Sequence, residues 1–304
     1  MDAGITLPHT SPRTLALFLA MSLIWGVTWA AVKIGVAAVP PVFLAAVRYL
    51  IVAAVLVVWV RGIAGPFRKQ PGRTLVSGLL VNGTYSLLFW GMQFVSSGVS
   101  SLVNLSLIPV GLFGLSVLVG DTAPSWRHAG AIALGIGGLA VLFSNRLATS
   151  GSEMELWGAA AIVAATFCYC LGTVLSRPLL AKHSPSQVTA AHALVGVVSL
   201  SLLSIALEPL SFATLRALIQ PAPLAALLFL ALLGTLAAYT IYLRLVRDWG
   251  APRAGLYAFI SPVVALAIGW YAFAEPLGWR ETAGAVMMLL AAALAMRQPT
   301  SSTK

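Results

Sequence analysis

The chain has 304 residues, of which 60% are hydrophobic and only 9% are charged. A soluble domain usually carries about 25% charged residues, so this composition excludes an ordinary water-soluble fold and indicates a protein that crosses the lipid bilayer several times. The net charge of +10 does not indicate nucleic-acid binding, because the basic residues are scattered among short polar gaps and form no single basic face.

Ten apolar runs of helix length follow one another along the chain, and most reach the roughly 20 residues that cross a bilayer. They are rich in Leu and Ala and lack the alternation of β-barrel strands, so they predict helices. The first run is too long for the apolar part of a signal peptide and is expected to be retained as a membrane helix. The predicted spans are 15–36, 42–60, 75–94, 98–119, 129–144, 155–175, 187–207, 222–243, 252–273 and 279–296.

The distribution of lysine and arginine predicts the orientation. If the N-terminus lies in the cytoplasm, thirteen of the 18 basic residues fall in cytoplasmic gaps or tails and three fall outside. The remaining two, Lys33 and Arg48, lie within predicted helices. Because cytoplasmic loops carry the excess of Lys and Arg, both termini are predicted to be cytoplasmic and the number of helices to be even.

The two halves of the chain resemble each other in spacing. The starts of the last five runs follow those of the first five by 140 to 154 residues, and Pro109 and Pro262, like Trp126 and Trp279, are 153 residues apart. An odd number of helices in each copy inverts the second copy in the membrane, as in many secondary transporters. The predicted organisation is an N-terminal cytoplasmic tail 1–14, a five-helix repeat 15–144, a periplasmic connection 145–154, a second five-helix repeat 155–296 and a C-terminal cytoplasmic tail 297–304.

Several short motifs accompany this architecture. They are Trp25-Gly26, Arg48-Tyr49, and the Pro109 and Pro262 regions followed by Asp121 and Glu275. Together the motifs and the architecture resemble the drug/metabolite transporter superfamily, in its ten-helix EamA-type branch. This resemblance implies a multi-pass protein of the bacterial inner membrane that exports small metabolites, with amino acids, aromatic ones included, as the expected substrates. The alternative within the superfamily is a transporter of drugs, sugars or nucleotide sugars.

The sequence contains no recognisable enzyme motif. A nucleophile elbow, a His-Glu-x-x-His metal pair and a Walker A loop are all missing. His192 stands alone in the seventh run, and all eight acids fall in gaps, tails or helix ends, so no intramembrane carboxylate is expected to carry protons. We expect a monomer without enzymatic activity, cofactor or metal, whose partners are the lipid bilayer and a small-molecule substrate. A membrane-embedded enzyme remains the alternative.

Two cations lie within the predicted helices. Lys33 is near the outer end of the first run, and its ammonium is expected to extend to the outer headgroups. Arg48 is about two turns into the second run, where a charge needs a partner. A bond to a backbone carbonyl is expected for Arg48, with substrate contact as the alternative.

Aromatic and amide side chains near the middle of the bilayer predict a cavity for a small, partly apolar ligand. The asparagines are expected to be buried in the bundle, because an amide facing lipid is costly. With no acid and no assigned cation there, several neutral amino acids are expected to compete for transport. Pro109 and Pro262 each remove a backbone hydrogen bond and are predicted hinges or, alternatively, tolerated kinks. The predicted cavity residues are Trp25, Asn82, Tyr85, Asn104, Phe167, Tyr169, Tyr239 and Tyr257.

Overall fold

The computed structural model describes residues 12–118, 126–148, 153–239, 241–242, 245, 257–274 and 278–296. Within these ranges the chain is helical and contains no β-strand, which confirms the predicted all-α class. The helices are α1 Pro12–Ala38, α2 Pro41–Trp59, α3 Ala64–Lys69, α4 Pro71–Gly91, α5 Ser97–Leu118, α6 Trp126–Ala148, α7 Glu153–Leu180, α8 Pro185–Leu207, α9 Phe212–Leu218, α10 Pro221–Leu228, a π-helix Phe229–Ala237, α11 Tyr257–Phe273 and α12 Trp279–Met296.

Each of the ten predicted apolar runs overlaps a helix, and proline marks where several of them begin. Proline is suited to the first helical turn, because its fixed φ matches the helix and its missing N–H has no partner there. The eighth run divides between α10 and the π-helix. The helices that start with proline at one of their first two positions and have a described N-cap are α2, α4, α8 and α10.

Four of the described helices are long and apolar enough to cross a bilayer by themselves. They are α1, α2, α7 and α8, and the pair formed by α9 and the segment Pro221–Ala237, bent by 73°, is a fifth candidate. Helix α4 is less apolar because it buries several polar side chains, among them Thr74, Ser77 and Asn82. The crossing of the membrane by all ten predicted helices therefore stays a prediction.

Two short helices occupy positions where the sequence predicted only connections. Helix α3 lies between α2 and α4, and α9 precedes α10. The start of α9 is stabilised by a capping box, in which the Ser211 hydroxyl accepts a hydrogen bond from the Thr214 backbone and the Thr214 side chain accepts one from the Ser211 backbone. Such a box satisfies two backbone donors and allows a helix of only seven residues to form.

Close contact between α4 and α7 depends on two glycines. A Cβ atom added to Gly91 would lie 2.5 Å from the Gly158 carbonyl oxygen, and one added to Gly158 would lie 2.9 Å from the Gly91 carbonyl oxygen. The two backbones therefore touch where these glycines meet. Small residues permit this approach between membrane helices.

The helices of the first five predicted runs pack on those of the last five in corresponding pairs. The first set is α1, α2, α4, α5 and α6, and the second is α7, α8, α10, α11 and α12. Helix α5 packs on α7 in the same way as α11 packs on α1. Likewise, α4 packs on α7 as α10 packs on α1. Three further pairs each join one helix of the first set to its equivalent in the second: α2 with α8, α5 with α11, and α6 with α12. Exchanging the two sets of five helices preserves each of these pairings, as expected for two halves of equivalent structure.

Charged side chains tie helix ends together. The Glu208 carboxylate accepts hydrogen bonds of 2.7 Å from the backbone N–H groups of Val42 and Phe43, and so neutralises the positive end of α2. The Lys33 ammonium lies 3.4 Å from the carbonyl oxygens of Met92 and Val95, just beyond the end of α4. Lys33 thus contacts protein carbonyls, where the sequence predicted contact with lipid headgroups.

Candidate functional site

The π-helix is the element around which buried polar contacts gather. Its Leu230, Ala231 and Gly234 are buried, and the Thr235 hydroxyl donates a 2.9 Å hydrogen bond to the carbonyl of Leu230, five residues earlier. A π-helical turn within an α-helix is rare and frequently occurs at functional sites. Both α1 and α2 contribute a side chain that donates hydrogen bonds to this segment.

Trp25 of α1 binds the π-helix through its indole. The Nε1–H donates a 2.9 Å hydrogen bond to the Gly234 carbonyl, and the ring meets Tyr257 edge-on at a centroid distance of 4.4 Å. Tyr242 is the next ring, at 5.5 Å. A Cβ atom added to Gly234 would lie 2.8 Å from the Thr28 methyl group, so the absence of a side chain there permits α1 to approach.

Arg48 of α2 binds the next residue of the π-helix. Its Nε and Nη2 atoms donate hydrogen bonds of 3.0 and 2.6 Å to the Thr235 hydroxyl. The guanidinium carbon lies 4.9 Å from the centre of the Tyr85 ring, and the rings of Phe89 and Tyr49 lie at 5.9 and 6.0 Å. The sequence predicted a bond to a backbone carbonyl, and the structure has a side-chain hydroxyl in that position.

Tyrosines from four further elements surround these two anchors. The rings of Tyr239 and Tyr257 lie 6.1 and 5.9 Å from Tyr242. Tyr169 of α7 lies near these three tyrosines and near Tyr85 of α4, so the five residues form one group. All five are half-buried, as expected of side chains that line a cavity inside a bundle. The structure therefore brings together Trp25, Tyr85, Tyr169, Tyr239 and Tyr257 of the predicted set.

Phe167 does not join this group. On α7 it keeps 53% of its surface exposed, whereas the neighbouring Thr166 and Cys170 are buried. Residues two apart on a helix point to different sides, so Phe167 and Tyr169 cannot share one face. Phe167 is a predicted cavity residue because it lies near the centre of its apolar run. The sequence of the run does not reveal which side of the helix faces the bundle.

The two predicted asparagines are buried between helices. Asn82 donates hydrogen bonds of 2.7 and 2.8 Å to the carbonyls of Gly78 and His192, and so joins α4 to α8. Asn104 of α5 donates a 3.0 Å hydrogen bond to the Thr166 hydroxyl of α7. His192 is itself buried and forms a 2.9 Å hydrogen bond with Ser77. These amides therefore connect helices, Asn82 joining α4 to α8 and Asn104 joining α5 to α7.

The predicted hinges lie in helices that continue through them. Helix α5 runs without a break past position 109, and α11 runs past position 262. The side chains of Pro109 and Pro262 lie outside the described residues. Next to the second proline, the Ser261 hydroxyl donates a 2.9 Å hydrogen bond to the Ser22 carbonyl, which ties α11 to α1. The hinge role stays a prediction.

Sequence reasoning missed three members of the site: Tyr49, Thr235 and Tyr242. Tyr242 follows Tyr239 by three residues, a spacing that puts both on one helix face and could have indicated it. Thr235 carries no such signal, because its partner Arg48 lies 187 positions away. In the part of the chain that the structure describes, no group of three His, Cys, Asp or Glu side chains is arranged to hold a metal ion.

The described helices form a bundle whose interior carries aromatic and hydroxyl side chains, an arrangement that suits a membrane transporter. Residues 12–144 and 156–297 each match the EamA-like transporter family. The chain belongs to this family, within the drug/metabolite transporter superfamily, and is a multi-pass transporter of the inner membrane.

Relatives and a solved structure cover nearly the whole chain. A "Probable amino-acid metabolite efflux pump" of Salmonella typhimurium is 28% identical over 281 residues, which is 90% of this chain and 91% of the relative. The "Uncharacterized inner membrane transporter YedA" of Escherichia coli K12 is 30% identical over 266 residues, 84% of this chain and 80% of the relative. A structure described as "Crystal structure of protein" superposes with a TM-score of 0.63 at 22% identity, over 93% of this chain and 96% of that one, and shows the shared fold.

Proposed function

We propose that this transporter exports small metabolites, namely neutral amino acids including the aromatic ones, through a site between its two halves. The observation that carries the proposal is the group of tyrosines around Trp25 and the π-helix. Aromatic faces supply apolar contact to a side chain, and phenol groups supply hydrogen bonds to its polar end. The proposed cavity consists of Trp25, Tyr85, Tyr169, Tyr239 and Tyr257, and Asn82 and Asn104 join the helices that surround it.

The proposed architecture has ten transmembrane helices in two inverted repeats, 15–144 and 155–296, with both termini in the cytoplasm. The exchangeable helix pairings support two equivalent halves. Contacts between helix ends support the arrangement as well, because Gln187 donates a 3.0 Å hydrogen bond to the Arg61 carbonyl, and the positive-inside rule assigns both residues to the cytoplasm. Glu208 and the start of α2 meet at the opposite end.

The direction and the substrate class rest on the relatives. The Salmonella protein and an Escherichia coli relative that is 25% identical over 281 residues are both named as probable amino-acid metabolite efflux pumps. Movement would occur by alternating access, in which the two halves rock about the central site. Because contacts through ring faces and hydroxyls select mainly by size, several neutral amino acids compete for one site.

Flux into liposomes that contain the purified protein tests the proposal. A panel of neutral amino acids, sugars, nucleotide sugars and a drug cation is offered, and the expected result is uptake of several neutral amino acids without chemical change. Product formation would identify an enzyme, and exclusive uptake of a sugar or drug would replace the proposed substrate.

Substitutions locate the site. Trp25→Ala, Tyr85→Ala and Tyr239→Ala are each expected to change the order in which amino acids compete, while the protein still inserts. Phe167→Ala is the matched control, because it removes an exposed aromatic ring from the helix that carries Tyr169. If Phe167→Ala changes the order and the other three do not, the cavity assignment is wrong.

A further inference from the structure

Arg48 is a buried cation without a carboxylate partner among the described residues. Only 6% of its surface is exposed, and the salt-bridge distance of 4.0 Å around its guanidinium contains no carboxylate within the described ranges. A charge inside a membrane protein is costly unless it is paired, and such residues commonly mark substrate pathways. The other intramembrane cation, Lys33, is already bound to the carbonyls beyond α4.

The contacts that the described residues make with Arg48 use only part of its guanidinium. An arginine side chain has five N–H donors, and the described contacts use one on Nε and one on Nη2, both to the Thr235 hydroxyl. No described residue accepts a hydrogen bond from Nη1. The rings of Tyr85, Tyr49 and Phe89 provide cation–π attraction, which lowers the cost of the charge but does not neutralise it.

The location of Arg48 connects it to the tyrosine group. Tyr85 contacts the guanidinium and lies near Tyr169 and Tyr257 of the proposed cavity. Thr235, which holds Arg48, directly follows Gly234, which holds Trp25. Arg48 therefore adjoins residues of the proposed cavity, in which an aromatic side chain of a ligand would be held.

We propose that Arg48 binds the carboxylate of the transported molecule, so that a carboxylate is a required feature of the substrate. The inference rests on the proposed function and assigns it a substrate class. A guanidinium matches a carboxylate with two parallel hydrogen bonds, which is the strong geometry for this pair. A single cation balances a single negative charge, so the fit is to a monocarboxylate and not to a phosphate, which carries nearly two charges at pH 7.

Two small probes that differ only in the charged group test this on the native protein. The purified transporter in lipid nanodiscs is titrated with 3-phenylpropionate and with 3-phenylpropanamide, and tryptophan fluorescence reports binding. The carboxylate is expected to bind at least about tenfold more tightly than the amide, the ratio typical of one charged hydrogen-bonded contact. Equal affinities, or no binding of the carboxylate, would overturn the proposal.

Variants then assign the preference to one residue. Arg48→Gln is expected to abolish the tenfold preference, and Arg48→Lys to keep a reduced one, because an ammonium retains the charge without the paired geometry. Lys33→Gln is the matched control and keeps the native ratio. If Arg48→Gln does not fold, the ratio of carboxylate to amide affinity in Arg48→Lys is compared with the ratio in Lys33→Gln. A ratio that falls only in Lys33→Gln refutes the assignment to Arg48.

Flux separates this inference from the proposed function. A carboxylate preference that depends on Arg48, in a protein that transports no amino acid, would retain the inference and reject the proposed substrate. Amino-acid flux with equal binding of the two probes would retain the function and reject the role of Arg48.

Discussion

Asn82 and Tyr85 lie three residues apart on α4 and have different roles. Asn82 is fully buried and binds two carbonyls, while Tyr85 is half-buried between Arg48 and the tyrosine group. One residue holds helices together, and the other faces the proposed cavity. The distinction matters for mutagenesis, because loss of either side chain can reduce transport for unrelated reasons.

The substitution Asn82→Leu is expected to destabilise the protein by about 1–3 kcal/mol, because it leaves the His192 carbonyl without the hydrogen bond that joins α4 to α8. The order of competing amino acids should stay native. The melting temperature in detergent measures the first effect and liposome flux the second. Gln93→Leu removes an exposed amide near the end of the same helix and serves as the control. A changed substrate order in Asn82→Leu would move this residue into the cavity.

The burial of a side chain could be predicted from the sequence where contact with lipid would be costly. An amide inside lipid must be buried, and both asparagines are. The direction of an aromatic side chain carries no such penalty, since Phe167 is stable against lipid and Tyr169 is stable in the bundle. The partners of Arg48 and Trp25 could not be read from the chain, because they are 187 and 209 positions away.

At the scale of elements, the contact between α4 and α7 gives a sharp test. Gly91→Ala inserts a methyl group against the Gly158 carbonyl and is expected to cost about 1–3 kcal/mol, because backbone cannot move aside as a flexible side chain can. Gly83→Ala on the same helix meets nothing within 4 Å and should stabilise the protein by about 0.5–1 kcal/mol through higher helix propensity. Thermal unfolding of both variants measures the difference. Similar melting temperatures would mean that the two helices are not in backbone contact.

The prolines of α5 and α11 give a second test at this scale. Pro109→Ala and Pro262→Ala each restore a backbone N–H and stiffen the helix, so transport should slow more than binding weakens. Pro178→Ala is the control, because Pro178 lies in the last turn of α7, away from the middle of a helix. Initial flux rates and nanodisc titrations measure the two quantities. Native rates in both variants would leave the prolines as tolerated kinks.

Helix existence followed from the sequence, and helix detail did not. Apolar length predicted the long helices, because it is a local property of the sequence. The capping box of α9 involves Ser and Thr in a segment that looks like an ordinary polar gap, so only the hydrogen bonds identify it as a helix. The π-helix has the same apolar composition as its α-helical neighbours and gives no signal of its own.

For the whole molecule, the orientation in the membrane is the testable quantity. In a cysteine-free background, Ser211→Cys is expected to react with an impermeant maleimide in intact cells, and Lys69→Cys only after lysis. Both positions are exposed, so accessibility to the reagent depends on the side of the membrane alone. The prediction follows from the excess of Lys and Arg in the gaps assigned to the cytoplasm. The reverse pattern would invert the proposed topology.

The family was predicted from a resemblance in architecture and motifs, and the spacing of apolar runs predicted a two-part organisation, because architecture and spacing are properties of the whole chain and tolerate local error. The match of the family to residues 12–144 and again to 156–297 agrees with such an organisation. Apolar length does not show which helices cross the membrane. Helix α4 carries buried polar side chains that lower its mean hydropathy, so it is not among the spans identified by length and composition.

The π-helix also has a consequence for the history of the two halves. A turn closed over five residues holds one residue more than an α-helical turn, so everything after it is rotated about the helix axis. Tyr239 and Tyr242 follow this segment, whereas α4, the corresponding helix of the other half, is α-helical throughout. If the halves arose by gene duplication, one additional codon in the later copy would have been enough to turn a tyrosine pair inward and end the equivalence of the two copies.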